Sequence, residues 1–362
     1  MEYKLADLFD LQMGKTPSRN DIKCWDKGVY NWISIADLSN CGQYIHETKE
    51  KISDYAVKVS GIKVIPANTV IMSFKLSIGK VAITSRPIYS NEAIMAFINK
   101  GKIYINPEYL YYLLLHKNWE DGSNKAVMGK TLNKSNLSQV KIKIDSSKYQ
   151  DEIVKKLNLV NQIITDRKKQ LKSLDELVKS RFIEMFGNPI TNEMGWEKVQ
   201  LSACIESIDN GKSLVCDASA RQGNWPAVLK LSAATYGFYR PEENKAMLDE
   251  TQFAEDAAVR SGDLLFTRKN TPELVGMCAY VYDTPSRLMM PDLIFRLNTT
   301  NRCNKVFLWK LINHDLFRDC IKAIATGSAK SMSNISKERL LSLEIILPPA
   351  VLQEQFAAFV VQ

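Results

Sequence analysis

The chain has 362 residues, of which 45% are hydrophobic and 24% charged, and its formal net charge is +8. This length is too great for one compact domain of typical size, so we expect two domains with ordinary cores. Seven scattered cysteines without a C-x-x-C pair indicate neither a disulfide framework nor a zinc module. No signal pattern and no run of about 18 apolar residues is present, so we expect a cytoplasmic protein that does not span a membrane.

The positive charge is concentrated in the first part of the chain. Residues 1–148 contain 21 Lys and Arg against 14 Asp and Glu, residues 149–186 contain 8 against 6, and residues 187–362 contain 19 against 20. This distribution predicts an N-terminal domain that binds a polyanion such as nucleic acid. The C-terminal domain would need local clusters of basic side chains to do the same.

The first 148 residues predict a mixed α/β domain with short strands. Hydrophobic patterns and Gly/Pro punctuation define its elements. In chain order these are an amphipathic segment at 4–12, a loop at 14–19, strands at 32–35, 69–74 and 81–83, a helix at 108–119, a basic loop at 129–135 and a strand at 140–144.

A long helix follows, because apolar residues recur in steps of four and three, the spacing of a coiled coil. The residues of this helix seam are Ile153, Leu157, Val160, Ile164, Leu171, Leu174, Val178 and Phe182. Gly187 and Pro189 supply the expected C-terminal stop. A helix of roughly 36 residues would be about 54 Å long and would hold the flanking domains apart.

The sequence after this helix repeats the plan of the sequence before it, with an offset of roughly 200 residues. Residues 201–212 resemble 5–15, and residues 264–268 resemble 71–75, which makes Lys75 and Arg268 equivalent. Residues 352–356 match the start of the long helix. Tandem duplication therefore predicts an α+β protein of two similar mixed α/β domains, at 1–148 and 188–347, separated by a coiled-coil helix at 149–187. A second such helix would begin at 348–362 and be cut short.

Catalytic chemistry is not indicated. GK[ST] occurs at Gly14, Gly129 and Gly211, but none of these has the glycine five positions earlier that a P-loop requires. Pro291-Asp292 could begin a nuclease motif, yet no Asp/Glu-x-Lys follows it. The three histidines show no metal-ligand spacing, and no nucleophile, base and orienter assemble. We therefore expect a non-catalytic chain without a metal or cofactor.

Basic, hydroxyl-rich and amide-rich loops recur in both halves, and such side chains contact phosphates and base edges of DNA. In the first half the candidates are Lys15, Thr16, Ser18, Arg19, Lys75, Lys80, Lys130, Asn133 and Lys134. In the second half they are Lys212, Arg221, Lys230, Arg268, Lys269, Asn270, Lys330, Ser331 and Asn334. Two readers held apart by a helix predict a two-part DNA target with an unread spacer.

Several segments together resemble the specificity subunit of type I restriction-modification systems, over essentially the whole chain. They are LDELVKSRFIEMFGNP, GKTPSR with WISI downstream, SFKLSIGKVAI followed by NEAI, and LPPAVLQEQF. The resemblance implies that each domain is a target recognition domain reading half of a split DNA site. It also implies that the helix docks methyltransferase subunits, that a restriction subunit joins, and that S-adenosylmethionine, ATP and Mg belong only to those partners.

Two alternatives remain open from the sequence. One is a coiled-coil scaffold with only nonspecific DNA affinity, and the other is a fragment of a single-chain restriction enzyme whose catalytic domains lie outside this sequence. Because the second helix is expected to be short, the helix seam would be partly unpaired and would favour self-association or methyltransferase binding.

Overall fold

The computed structural model describes residues 1–75, 77–119, 132–327 and 332–361. The chain divides into two compact units, Met1–Arg167 (unit 1) and Lys168–Gln362 (unit 2). Both mix short strands with helices, as the α+β prediction required. Among the described residues, no helix combines the length and the apolar character needed to cross a membrane.

The described residues of unit 1 form ten strands and five short α-helices, and the long helix α6 begins in this unit. The strands are β1 (Glu2–Lys4), β2 (Phe9–Met13), β3 (Tyr30–Ile33), β4 (Tyr44–Ile45), β5 (Glu50–Ile52), β6 (Val70–Ser73), β7 (Val81–Thr84), β8 (Tyr89–Ser90), β9 (Ile94–Asn99) and β10 (Lys141–Lys143). The helices are α1 (Leu5–Leu8), α2 (Ile35–Asn40), α3 (Asp54–Ser60), α4 (Pro107–Leu115), α5 (Lys134–Gln139) and α6 (Ser147–Phe186).

The core of unit 1 lies on a five-stranded sheet in the order β2-β9-β6-β7-β4. The strands β6 and β7 are buried along their whole length, because side chains cover both of their faces. A separate three-stranded sheet has the order β5-β3-β8, and β1 pairs with β10. These sheets place the loop after β2 next to the turn before β9.

Unit 2 has a similar sheet plan, with four strands instead of five in its main sheet and one additional strand pair. Its strands are β11 (Glu197–Gln200), β12 (Ile205–Asn210), β13 (Ala227–Leu229), β14 (Asn244–Ala246), β15 (Leu264–Thr267), β16 (Lys269–Asn270), β17 (Cys278–Tyr280), β18 (Leu288–Met289), β19 (Ile294–Thr299), β20 (Ser333–Asn334) and β21 (Glu344–Leu347). Its helices are α7 (Lys305–Asn313), α8 (Arg318–Ala323), α9 (Lys337–Leu341) and α10 (Ala350–Val361). The sheet orders are β12-β19-β15-β17, β14-β13-β18, β11-β21 and β16-β20.

A buried glutamine ties α6 to unit 1. The amide oxygen of Gln150, which is 1% exposed, accepts the Asn106 N–H at 2.9 Å, immediately before α4. Its amide nitrogen donates to the carbonyls of Tyr104 at 3.2 Å and Asp145 at 2.9 Å. Since all three partners are main-chain groups, one side chain satisfies buried backbone polar groups of two separate segments.

Gln353 makes the same clamp in unit 2, where α10 takes the place of α6. It is fully buried, its amide oxygen accepts the Asn304 N–H at 2.8 Å, and its nitrogen donates to Arg302 O at 3.1 Å and Pro348 O at 2.7 Å. The two matching clamps support the predicted duplication. They make Gln353 the equivalent of Gln150, so the start of α10 corresponds to the start of α6.

The end of α6 packs into unit 2 through aromatic side chains. Phe182 and Phe186 are buried and contact Phe307 of α7 and Phe356 of α10, with ring centroids 5.0–5.8 Å apart. Gly187 adopts a left-handed φ of 72° directly after the helix, the conformation that favours glycine at a helix end. The predicted helix stop is thus confirmed.

Candidate nucleic-acid interface

In unit 1, a glycine brings the first basic loop against the turn before β9. A Cβ on Gly14 would lie 2.2 Å from the carbonyl oxygens of Asn91 and Ser90, so a larger residue would displace the loop. The Lys15 N–H donates to Ser90 O at 2.8 Å, which fixes the backbone of the lysine. The Lys15 side chain is exposed, and its ammonium donates to the Ser60 carbonyl.

Unit 2 repeats this close approach. A Cβ on Gly211 would lie 2.1 Å from Pro291 O and 2.3 Å from Met290 O, and the Lys212 N–H donates to Met290 O at 3.0 Å. The Lys212 ammonium lies 3.0 Å from the carboxylate of Asp256 in an exposed ion pair. Exposed pairs contribute little, so this lysine is readily available to another anion.

A carboxylate and a hydroxyl lie beside the Lys15 loop. The Thr16 hydroxyl donates to the carboxylate of Glu92, which is exposed in the turn before β9. The pKa of Glu92 is lowered from its ordinary value, mainly by this hydrogen bond and further by the positive charges of Lys75 and Arg19. Four predicted or neighbouring polar side chains from three separate segments therefore gather in one place.

Arg19 is held rigid by an acid and two indole rings. Its guanidinium donates to both carboxylate oxygens of Glu50, at 2.5 and 3.0 Å, and lies over Trp25 at 3.9 Å and Trp32 at 4.8 Å from the ring centroids. The hydrogen bond to Glu50 raises the Arg19 pKa. Because its side chain is still 49% exposed, the arginine presents a preorganised planar face to solvent.

In unit 2, the Lys212 loop forms one wall of a cleft of about 500 Å³, here called the unit-2 cleft. The polar side chains that line it are Lys212, Ser213, Lys230, Ser232, Lys245 and Asp292. Two of these lysines were predicted, and Lys230 lies 3.9 Å from the half-buried carboxylate of Glu243. Three lysines in one concave surface give the local positive cluster that unit 2 needs despite its balanced net charge.

The two units carry different charges at equivalent positions. Trp32 of β3 pairs with Glu50 of β5, and Val228 of β13 pairs with Lys245 of β14. Trp32 and Val228 are equivalent, because Trp32 pairs in parallel with Tyr89 and Val228 with Met289. In each unit the next residue, Ser90 or Met290, is the one whose carbonyl accepts the N–H of the loop lysine. A carboxylate in unit 1 is therefore replaced by an ammonium group in unit 2.

The predicted equivalence of Lys75 and Arg268 is wrong by one residue. Ser73 of β6 and Thr267 of β15 occupy matching positions in their sheets, so the equivalent of Lys75 is Lys269. The Arg268 guanidinium lies 5.0 Å over the Phe295 ring and 3.4 Å from Asn334 Oδ1, which brings two predicted residues together. The physical reason is that both strands are buried on both faces, so no polar face marks the register.

Other predicted side chains have structural partners. Asn133 caps α5, Arg221 donates to two backbone carbonyls, and Asn270 is 7% exposed and donates to the Thr235 hydroxyl. The predicted residues that are exposed elsewhere on the surface are Ser18, Lys80 and Lys134. The predicted residues that lie outside the described part of the chain are Lys130, Lys330 and Ser331.

Glu92, Asp292, Lys245 and Glu50 are not among the DNA-binding residues predicted from the sequence. A signal for the first two was available, because each stands two residues before the isoleucine that opens a strand in both copies of the repeat. The positions of Glu50 beside Arg19 and of Lys245 in the unit-2 cleft depend on how β5 and β14 are aligned with their neighbouring strands, and this alignment leaves no signal in the sequence. Within the described ranges, no three His, Cys, Asp or Glu side chains are placed to hold a metal ion.

The middle of the helix seam is exposed. Val160, Ile164, Leu171 and Leu174 are 46–64% exposed, whereas Phe182 is buried in unit 2. Ile153, Leu157 and Val178 are half-buried. Further exposed apolar residues on α6 that were not predicted from the sequence include Leu159, Ile163 and Leu177. The helix therefore presents a wider apolar surface than the predicted stripe.

Residues 1–173 match the family model described as type I restriction modification DNA specificity domain. The EcoEI specificity subunit of Escherichia coli is 32% identical over 168 residues, which cover 46% of this chain and 28% of that protein. The MjaIX specificity subunit of Methanocaldococcus jannaschii is 31% identical over 198 residues, 52% of this chain and 45% of that protein. The chain thus matches less than half the length of these relatives.

Solved structures share the fold over the whole chain. The type I restriction-modification S subunit from M. genitalium has a TM-score of 0.56 at 12% identity, covering 100% of this chain and 88% of that one. A chain from a structural study of complex assembly and conformational transition of the type I R-M system has a TM-score of 0.51 at 15% identity, with coverages of 100% and 89%. At these identities the match concerns the fold alone.

Proposed function

Because its first 173 residues match the type I restriction modification DNA specificity domain and its curated relatives are specificity subunits, we propose that the chain belongs to this family. In this proposal it is the non-catalytic subunit that selects the DNA target of a type I restriction-modification complex. Residues 1–148 and 188–347 are the two target recognition domains in this proposal, and residues 149–187 form the spacer helix. Each domain reads one half of a bipartite DNA site.

The duplicated glycine-lysine loop is the observation that carries this proposal. In both units a glycine packs against main-chain carbonyls, and the N–H of the following lysine donates to one of them. This places Lys15 beside the polar side chains around Glu92, and Lys212 in the wall of the unit-2 cleft. Lysines in such positions bind phosphates and set the register of a protein on DNA. The same scaffold thus supplies one phosphate-binding loop per half-site.

Different half-sites are favoured by the differences between the units. Arg19 with its two indole rings has no counterpart among the three lysines of the unit-2 cleft, and Glu50 is replaced by Lys245. Base edges are read by particular donors and acceptors, so two units with different side chains at equivalent positions select different sequences.

The exposed apolar surface of α6 supports a docking role. Leu171 and Leu174 are more than half exposed, and an apolar surface of this kind marks a protein interaction site. We propose that methyltransferase subunits bind there, that a restriction subunit joins through them, and that S-adenosylmethionine, ATP and Mg are bound by those subunits. A homodimer through the same helix surface is the alternative occupant, and light scattering of the purified chain with and without methyltransferase separates the two.

The decisive experiment maps methylated adenines in DNA from cells that express the chain with its methyltransferase partner. The expected result is one two-part sequence with a spacer of constant length, absent from cells that lack the chain. Binding to that sequence should also fall steeply with salt and exceed binding to unrelated DNA by about a thousandfold or more. Methylation without a common sequence, or equal affinity for all DNA, would favour the scaffold alternative.

A further inference from the structure

A carboxylate occupies the same position beside both lysine loops. Glu92 lies in the turn immediately before β9, and Asp292 lies in the equivalent turn before β19. Both turns close with the same main-chain hydrogen bond, from the first strand residue to the carbonyl three residues earlier, at 3.2 and 3.1 Å. These are the turns against which Gly14 and Gly211 pack.

The surroundings of both carboxylates are basic. Glu92 is exposed, accepts the Thr16 hydroxyl, and lies near the positive charges of Lys75 and Arg19. Asp292 lines the unit-2 cleft together with its three lysines. Within the described part of the chain, Asp292 has neither an ion-pair partner nor a side-chain hydrogen bond, so a purely structural role does not account for both residues.

A carboxylate within a phosphate-binding surface can bind DNA only through a hydrogen-bond donor. The carboxylate repels phosphates, because both groups are negatively charged. An ionised carboxylate accepts hydrogen bonds and cannot donate them. The donors that DNA presents in its major groove are the amino groups of cytosine N4 and adenine N6.

Resting on the DNA-recognition function proposed above, we infer that Glu92 and Asp292 are base-reading acceptors, one in each half-site. Each accepts a hydrogen bond from the exocyclic amino group of a cytosine or an adenine. Lys15 and Lys212, fixed by the adjacent turns, bind the neighbouring phosphates and hold each carboxylate at the base edge.

The test is a selection from duplex DNA randomised at both half-sites, using the full chain in complex with its methyltransferase partner. The variants are Glu92→Gln and Asp292→Asn, which keep the side-chain shape but remove the charge and add a donor. Matched controls are Glu2→Gln and Glu344→Gln, because these exposed carboxylates lie on β1 and β21 in surface ion pairs. Thermal melts establish that every variant is folded.

Each reading variant should lose its preference at one base pair of one half-site by at least about fivefold, with the other half-site unchanged. The controls should select the wild-type sequence. Binding of Glu92→Gln to the wild-type site should weaken even though a negative charge near DNA has been removed. If both variants instead bind every sequence more tightly by a common factor, the carboxylates act only through charge and the inference is wrong.

Thr16→Val separates base reading from support of the loop. It removes the hydrogen bond to Glu92 but leaves the carboxylate. Because Thr16 is itself a predicted DNA contact, the affinity for the half-site should fall, while the preferred base stays the same. If Thr16→Val changes the selected sequence in the same way as Glu92→Gln, then Glu92 only positions the loop.

The failure of the inference and the failure of the proposed function give different results. A wild-type complex that selects no sequence refutes the proposed function, and the inference falls with it. A wild-type complex that selects a two-part site, with preferences that survive both substitutions, refutes the inference alone.

Discussion

Replacing Arg296 with Met should strongly destabilise unit 2. Arg296 lies on β19 and is 8% exposed, and its guanidinium donates to the carboxylates of Asp263 at 3.0 Å and Asp209 at 3.3 Å. It also donates to two main-chain carbonyls of the segment before β15. The Asp263 side chain is only 10% exposed, so the substitution leaves a buried carboxylate without its countercharge.

The size of the effect follows from the burial of the two partners. Removal of one member of a buried ion pair costs about 3–5 kcal/mol, because the other charge stays desolvated. The Asp209 side chain is 39% exposed, so its share is about 1 kcal/mol or less. In a unit of this size each kcal/mol lowers the melting temperature by about 2–4 °C, which gives a loss on the order of 10 °C.

Differential scanning calorimetry of the full chain measures this loss as a shift of the unit-2 transition. Arg302→Met is the control, because Arg302 pairs with Glu197 at the surface, where the side chains are 47% and 60% exposed. The double substitution Arg296→Met with Asp263→Asn should recover part of the loss, since no buried charge then remains. Equal shifts for Arg296→Met and Arg302→Met would refute the reasoning.

Three further outcomes are expected. Gly14→Ala should lower DNA affinity at the half-site of unit 1, because the new Cβ would lie 2.2 Å from carbonyl oxygens. Gly42→Ala, whose Cβ would meet nothing within 4 Å, should bind DNA like the wild type. Equal DNA affinities of the two variants would contradict the loop geometry. Burial lowers the pKa of Lys310 from 10.5 to about 8, so the unfolded chain holds a proton that the folded chain releases. Stability in denaturant titrations should therefore rise from about pH 8 to pH 10.5, and Lys310→Met should flatten this rise; an unchanged slope would count against it. Leu171→Glu should abolish co-purification of the methyltransferase, because it places a charge on the exposed apolar surface of α6. Lys172→Glu, at a neighbouring side chain that is 80% exposed, should retain co-purification. If both variants retain the methyltransferase, this helix surface is not its docking site.

The long helix and the duplication could be predicted because both leave periodic signals. The three-four spacing of apolar residues identified α6, and the glycine-lysine pairs identified equivalent loops. The register of β6 against β15 could not be predicted, because both strands are buried throughout and a one-residue slip leaves their hydrophobic pattern unchanged.

The composition of the candidate interface was only partly predictable. The basic residues Lys15, Arg19 and Lys212 stood out by type and by their loops, and the structure places them next to polar partners. Glu92 is 76 residues from Thr16 in sequence, and the pairing of β2 with β9 brings the two together. Positive charge identifies phosphate-binding residues but gives no signal for carboxylates. The distinction between bases nevertheless requires acceptors as well as donors.

The glutamine clamps have a consequence for how specificity can change. Among the residues that the structure describes, Gln150 and Gln353 bind only main-chain N–H and carbonyl groups of the units they hold. Their attachment is therefore independent of the side chains that we propose to face DNA. A recombination junction at these glutamines would transfer a complete unit, with its proposed DNA-reading surface, onto an unchanged helix. The clamps would therefore permit new combinations of the two proposed recognition domains.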